Sequence, residues 1–272
     1  MAITKADFIE GMAKGMAVLE SFDTERQRLN ATLAAQRAGI TRAAARRHLL
    51  TLAHLGYLET DGSHFWLSPK VLRFSGSYLA SARLPRVLQP TLNRLAAQAQ
   101  GSFSVVVLDD SEVVIVARSV ALQETDVLGT SLGAPQRPAA MARVLAYGLH
   151  LGARLPAHAT STGRVLLAAM DRAALSAWMK GRVLYRLTPY TLTDPKALRA
   201  VLTQVRAQDH CLAHEEHELG VHALAVPLRN AQGQTVAALN VVTSAARLSP
   251  AAVRDHWLPL MHDAALEVRA LL

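Results

Sequence analysis

Between Asn30 and Gly56 the chain reads as two short helices around a turn, and no other stretch constrains its fold as much. Thr32 to Ala38 carries helix formers and stops at Gly39, a residue suited to the sharp turn that ends a helix. Thr41 stands where an N-cap belongs, ahead of Arg42 to Leu52. In this second helix Ala45, Leu49, Leu52 and Leu55 recur at spacings of three or four and make an apolar face. Thr41, Arg42, Arg46 and Arg47 project from the remaining surface. Helix, glycine turn and a second helix opening on Thr and Arg form the helix-turn-helix pattern, whose second helix enters the major groove.

The charge distribution agrees. From Arg26 to Leu58 there is no Asp or Glu, yet Arg26, Arg28, Arg37, Arg42, Arg46 and Arg47 all fall there. A solvated basic face on an ordinary bundle would look similar. The next residues favour the first reading. Tyr57 to Thr60 and His64 to Leu67 alternate as strands around Asp61-Gly62-Ser63, a strong hairpin signal. A hairpin directly after a recognition helix is a wing, so residues 1–68 read as a winged helix-turn-helix domain. Its candidate contacts to double-stranded operator DNA are Arg28, Thr41, Arg42, Ala45, Arg46 and Arg47, with Ser63 and His64 on the wing.

At 272 residues the chain is long enough for two domains with separate cores. No apolar run approaches the roughly 20 residues of a membrane span, and Met1 to Asp7 is not a signal peptide. A single cysteine, Cys211, excludes an internal disulfide framework and fits a reducing cytoplasm. The net charge of +8 favours polyanions or acidic small molecules as partners.

In chain order, Phe8 to Phe22 reads as a first helix with Phe8, Met12, Met16 and Leu19 on one side, a stripe widened by Val18 and Phe22. After the wing, Pro69 opens a helix from Lys70 to about Ala82, and its apolar surplus suits pairing with a second subunit. Residues 69–83 thus read as a linker and dimerisation helix, and residues 84–272 as a second domain. A helix from Arg86 to Gln98 leads to two strands, Ser102 to Leu108 and Val113 to Ser119, around Asp109-Asp110-Ser111. Leu122 to Ala142 reads as a long loop and Val144 to Leu151 as a strand. Thr160-Ser161-Thr162-Gly163 introduces a helix to Met170, another follows Asp171, and Asp194-Pro195 caps a third that ends near Gln208. Strands at Ala223 to Leu228 and Thr235 to Thr243 precede a terminal helix from Pro250. Hairpin strands with helices on one side make an α+β domain around an antiparallel sheet.

Nucleophile elbows, Walker loops and dinucleotide fingerprints are missing, so no catalytic residue is assigned. His210, Cys211, His214, Glu215, Glu216, His217 and His222 invite a metal reading, but they lack the His-Glu-x-x-His spacing, and no metal is assigned. The best small-molecule feature is Thr160-Ser161-Thr162-Gly163, where backbone N–H groups and the helix dipole make a carboxylate site. A plain N-cap would also explain these residues, but Arg154 and His158 lie just upstream.

Several stretches resemble the IclR-type bacterial transcriptional regulators. They are Gly15 to Leu19, Gly39 to Arg42, Leu55 to Leu58, Gly152 to Ala168, Glu215 to Val221 and Ala225 to Leu228. Within that family the Arg-Leu-Pro-Ala and Thr-Ser-Thr-Gly-Arg wording is most similar to the branch that senses aromatic acids and β-ketoadipate-pathway intermediates. The resemblance implies a homodimer or dimer of dimers, a GAF-like effector domain and no cofactor. It implies that Ala213, Ala223, Asn240 and Val242 line the effector pocket. There a ring would lie against Val144, Tyr147, Ala213 and Ala223, and Asn240 or His222 would meet any ring hydroxyl. The loop from Leu122 to Met141 is longer than the family leads one to expect. The expected function is a DNA-binding regulator controlled by a small, aromatic organic acid. The alternative is an enzyme of small-acid metabolism with a fused DNA-binding domain.

Overall fold

The computed structural model describes residues 3–23, 26–120 and 150–272. The expectations for the loop from Leu122, for Val144 and for Tyr147 lie outside them. The chain divides into two compact units, Met1–Ala80 and Ser81–Leu272.

In the first unit α1 (Glu10–Leu19), α2 (Ala31–Ala38) and α3 (Arg42–His54) surround a core of Val18, Leu29, Ala34, Ala45 and Leu49. The inward face of α1 is not the expected one. Val18 and, after the helix end, Phe22 are buried, while Phe8, Met12 and Met16 are at least half exposed. Strands β1 (Leu58–Thr60) and β2 (Phe65–Leu67) form the expected hairpin, with Gly62 at φ +95° in its turn. Leu29 bonds Phe65 in both directions and ties the wing to the entry of α2. Ser68 caps a turn at Pro69–Val71 that leads into α4 (Leu72–Ser81), on which Leu72 and Phe74 stay exposed.

The second unit is built on a six-stranded antiparallel sheet. Helix α5 (Arg83–Ala99) leads into β3 (Ser102–Asp109) and β4 (Glu112–Val120). Then come β5 (Arg154–Pro156), α6 (Ser161–Ala169), α7 (Arg172–Met179), α8 (Pro195–Gln208), β6 (Cys211–His214), β7 (His222–Arg229) and β8 (Thr235–Thr243). The strand order is β5-β4-β3-β8-β7-β6. Short strands β5 and β6 carry no periodic signal of their own, and only their pairing with β4 and β7 defines them.

Helices cover both faces of this sheet, not one. Phe103, Val105, Leu239 and Val241 meet Leu88, Leu92 and Leu95 of α5 and Trp257 and Met261 of the terminal segment. Val106, Ala225 and Ala238 point the other way, into a core with Val165, Leu167, Leu198 and Leu202 of α6 and α8. Consecutive apolar residues such as Val105 and Val106 serve opposite faces, as strand alternation requires. The terminal helix is not uniform. After an opening turn at Pro250–Ala252 it widens into a π turn at Val253–Trp257 and continues as α9 (Leu258–Val268). Pro259 explains the widening, since it has no N–H to give the turn before it.

Candidate nucleic-acid face and effector cavity

Asn30 caps α2 by accepting from the Thr32 and Leu33 N–H groups, each at 3.0 Å. Gly39 ends that helix at φ +65°, and Thr41 Oγ1 caps α3 by accepting from Ala44 N at 3.3 Å. Ala45, Leu49 and Leu52 turn into the core, which leaves Arg42, Arg46 and Arg47 exposed. Ala45, expected on the DNA face, is fully buried, because it shares the α3 stripe with Leu49 and Leu52. Arg28 lies over the Trp66 ring, 4.2 Å from its centroid, and 3.9 Å from Asp61. On the wing, Asp61 Oδ1 accepts from Ser63 N, Ser63 Oγ and His64 N. The two backbone donors and the Ser63 hydroxyl hold its carboxyl down at about 2. Ser63 and His64 thus sit at the wing turn, and Ser63 Oγ also bonds His64 Nδ1 at 2.9 Å.

The second site forms where α6 begins. Thr160 Oγ1 accepts from Gly163 N at 3.2 Å and donates to Pro156 O at 3.3 Å. Ser161, Thr162 and Arg164 behind it are at most 3 % exposed. Gly163 is required by packing, since a Cβ there would stand 2.1 Å from Ala157 O. Its N–H is already used by the cap, so it is a structural member of the motif. Arg164 donates through Nε to His158 O at 2.9 Å and forks onto the carboxylate of Glu216. Glu216 also accepts from Leu192 N, which ties the turn after β6 to the segment ahead of α8.

Between this helix start and the sheet lies a cavity of about 180 Å³. Its sheet side is made by Ser104, Val106, Ile115, Asn240, Val242, Ala223 and Ala213, with Leu155 at one edge. Ala159 to Thr162 and the turn residues Glu216, His217, Glu218 and Val221 complete it. Register explains the grouping. Ala213, Ala223 and Val242 are paired across β6, β7 and β8, and Asn240 is paired with Ser104 on β3. Among the described residues Asn240 Oδ1, which is buried, has no hydrogen-bond partner. Burial pushes the His217 pKa down, so this ring is held neutral at the cavity wall.

Thr160, Ser161, Thr162, Ala213, Ala223, Asn240 and Val242 are thus brought together, and four expected residues are not: Gly163, spent in the cap, and Arg154, His158 and His222. Arg154 is exposed at the sheet edge, with Nη2 on Asp109 and Nε on Glu112, both at 2.7 Å. Burial opposes its charge, but these two carboxylates raise its pKa on balance. The unforeseen β4–β5 pairing, which sets Arg154 against Val114, put it there. His158 is a buried histidine whose Nε2 lies 3.0 Å from Tyr185 O, and desolvation lowers its pKa. His222 pairs with His214 across β6 and β7, Nδ1 to Nδ1 at 2.8 Å, outside the cavity lining. Sequence reasoning missed Ser104, Val106, Ile115, Glu216 and His217 as lining. Ser102 and Ser104 alternate with Phe103 and Val105 in an otherwise apolar strand, and that was the available signal.

The histidine-rich stretch is dispersed. Cys211 is buried, its thiol pushed up to about 12 by desolvation, and Glu215 Oε1 accepts from Gly220 N. Among the described residues no group of three or more His, Cys, Asp or Glu side chains could hold a metal ion. No helix among them is long and apolar enough to cross a membrane.

Known proteins carry the same two parts. Residues 11–62 match the IclR helix-turn-helix domain, and residues 136–270 match the C-terminal domain of bacterial transcriptional regulator IclR. The Pca operon regulatory protein of Acinetobacter baylyi is 50% identical over 99% of this chain and 91% of its own length. The p-hydroxybenzoate hydroxylase transcriptional activator of the same organism is 51% identical over 99% of this chain and 94% of its own. Among solved structures, a double mutant of the inducer-binding domain of the PobR transcription factor from Acinetobacter, in complex with 3-hydroxybenzoic acid, is 46% identical. It covers 69% of this chain and 98% of its own, with a TM-score of 0.57. These relatives are regulators, and the enzyme alternative falls away with them. Identity over nearly the whole chain, on top of the winged helix and the effector-type domain, makes this protein a DNA-binding member of the IclR family of bacterial transcriptional regulators.

Proposed function

We propose that a small aromatic acid, held in the cavity beneath the start of α6, controls operator binding through α3 or the activity of the bound protein. The observation that carries this reading is a buried helix start opening on a mostly apolar cavity. The first N–H groups of a helix have no acceptor within it, so those of Ser161 and Thr162 suit a carboxylate. Val106, Ile115, Val221, Val242 and two alanines suit a ring. The size agrees, because an apolar void of about 150 Å³ accommodates benzene. The 3-hydroxybenzoic acid complex of the PobR domain supports the same ligand class. Arg154 has no part in this reading.

Residues 1–68 then act as the DNA-binding domain, 69–83 as linker and 84–272 as effector domain, in a cytoplasmic homodimer or dimer of dimers. The apolar residues left exposed on α4, Leu72 and Phe74, support self-association. Calorimetric titration of the full chain with 3- and 4-hydroxybenzoate and their methyl esters tests the proposal. We expect the acids to bind at least about tenfold more tightly than the esters, since a hydrogen bond to a charged group contributes roughly 1.5–3 kcal/mol. Equal binding of acid and ester would remove the carboxylate from the account.

A further inference from the structure

Helices α7 and α8 enclose a cleft of about 250 Å³ lined by Arg172, Leu175, Arg199, Leu202, Thr203 and Arg206. Helical spacing brings these side chains together. Arg172 and Leu175 lie one turn apart on α7, and Arg199, Thr203 and Arg206 follow one face of α8. Leu175 and Leu202 are buried, whereas all three arginines are exposed. In the same unit Arg94, Arg154, Arg182, Arg229 and Arg254 each meet a carboxylate. Among the described residues none of the three cleft arginines does. Their contacts position them without neutralising them. Arg199 Nη1 donates to Ser176 Oγ at 3.5 Å. Arg206 donates through Nε to Ala168 O at 2.7 Å and through Nη2 to Met170 O at 2.8 Å, and so caps the end of α6. Thr203 spends its hydroxyl proton on Arg199 O.

Three like charges around one cleft repel one another and concentrate a counter-ion between them. Guanidinium forks match the oxygens of a carboxylate or a phosphate. Charge separates the two. A monocarboxylate brings one negative charge, whereas a phosphate monoester carries roughly 1.5–2 at pH 7 and offers three acceptor oxygens. We propose that the cleft between α7 and α8 is a second ligand site, which takes the phosphoryl group of a small molecule. Arg172 and Arg199 supply the main donors, Arg206 adds the Nη1 left over from its cap, and Leu175 and Leu202 make the floor. A recess between two helices suits a terminal phosphoryl group, whereas the continuous backbone of a nucleic acid needs an open face. The site is separate from the cavity at the start of α6 and does not depend on the aromatic-acid reading.

The test is calorimetric titration of the full chain with pyrophosphate, at fixed ionic strength and without divalent metal. The proteins are wild type, Arg172→Gln with Arg199→Gln, and Arg42→Gln with Arg46→Gln as a control on the other basic face. Arg206 is left in place because it also caps α6. Wild type should bind pyrophosphate, and the α7–α8 variant should bind it at least about tenfold more weakly, since hydrogen bonds to a charged group are lost. The α3 variant should bind it as wild type does, and saturating 3-hydroxybenzoate should not displace it. Urea unfolding checks that the α7–α8 variant is folded. Should it not be, Arg172→Gln alone, which breaks no contact among the described residues, gives the same reading. No binding by wild type overturns the proposal, and so does undiminished binding by the α7–α8 variant. Loss of binding in the α3 variant instead, or displacement by the ring acid, also overturns it by moving the anion to another site. An α7–α8 variant that loses operator affinity but keeps pyrophosphate binding would give these arginines to DNA.

Discussion

Helices α3 and α6 begin with the same chemistry and end in opposite circumstances. Each opens on a threonine whose hydroxyl accepts from the N–H three residues on, Ala44 for Thr41 and Gly163 for Thr160. Each is followed by arginine within its first turns. At α3 the arginines stand in solvent, whereas at α6 Ser161, Thr162 and Arg164 are enclosed and Arg164 is clamped by Glu216. A helix start attracts anions in either setting. Exposure decides which anion. The open start, surrounded by exposed arginines, suits the phosphates of a polymer in a salt-dependent way. The closed start, with its own arginine already neutralised, leaves only N–H groups and suits a single carboxylate excluded from water.

The largest effect should come from the arginine that the two starts use differently. Arg164→Met leaves Glu216 buried without its partner, and breaking a buried pair of this kind costs about 3–5 kcal/mol. Arg46→Met on α3 should change stability by no more than about 0.5 kcal/mol, as surface substitutions do. Urea unfolding of both variants checks the contrast. Similar losses would mean that the two helix starts are not differently enclosed.

The glycines beside these starts separate next. Gly163→Ala drives a Cβ into the Ala157 carbonyl, a backbone group that cannot swing away. We expect a loss at the upper end of the roughly 1–3 kcal/mol typical of overpacked sites. Gly39→Ala meets open space, and its cost is confined to the left-handed backbone at φ +65°, about 1–2 kcal/mol. A thermal-shift and urea comparison should rank Gly163→Ala as the more damaging. The reverse order would undo the packing account of the α6 motif.

On the open side, Arg42→Ala and Arg46→Ala should each weaken operator binding while leaving ring-acid binding by the intact fold untouched. Loss of a base-edge contact costs about 1–3 kcal/mol and relaxes one operator position, whereas loss of a phosphate contact weakens all sequences and lowers the salt slope by about one. Fluorescence anisotropy across a salt series distinguishes the two. Unchanged affinity and slope in both variants would mean that another surface reads DNA.

What could be read in advance follows the range of the interaction. The helix-turn-helix, the wing and the α6 cap are local, set by Gly39, Thr41, Asp61-Gly62 and Thr160 within a few residues of the structure they make. The burial of Val18 in place of Met12 and Met16 depends on where α2 and α3 lie against α1. Ala45 was legible as a core position from its stripe, and its assignment to the DNA face ignored that stripe. The cavity floor is a matter of register. Ser104, Asn240, Ala223 and Ala213 are far apart in the chain and become neighbours only when β3, β8, β7 and β6 align. Short strands β5 and β6 are likewise defined by their partners, and missing β5 is what misplaced Arg154.

Arg154 therefore gives the smallest expected effect and the sharpest control on the closed site. It lies just before α6 in sequence, carries the right charge and would bind a carboxylate well if it faced the cavity. It is instead 45% exposed and already holds Asp109 and Glu112. Exposed ion pairs contribute about 0.2–1 kcal/mol, because both charges keep most of their hydration. Arg154→Ala should lower stability by no more than that, and the loss should shrink at high salt as screening removes what the pairs contribute. The preference for acid over methyl ester should stay as in wild type, because the donors assigned to the carboxylate are the N–H groups of Ser161 and Thr162. Titration of Arg154→Ala with acid and ester reads this directly. A preference that disappears with Arg154 would move the carboxylate to the β5 edge and end the distinction between the two helix starts.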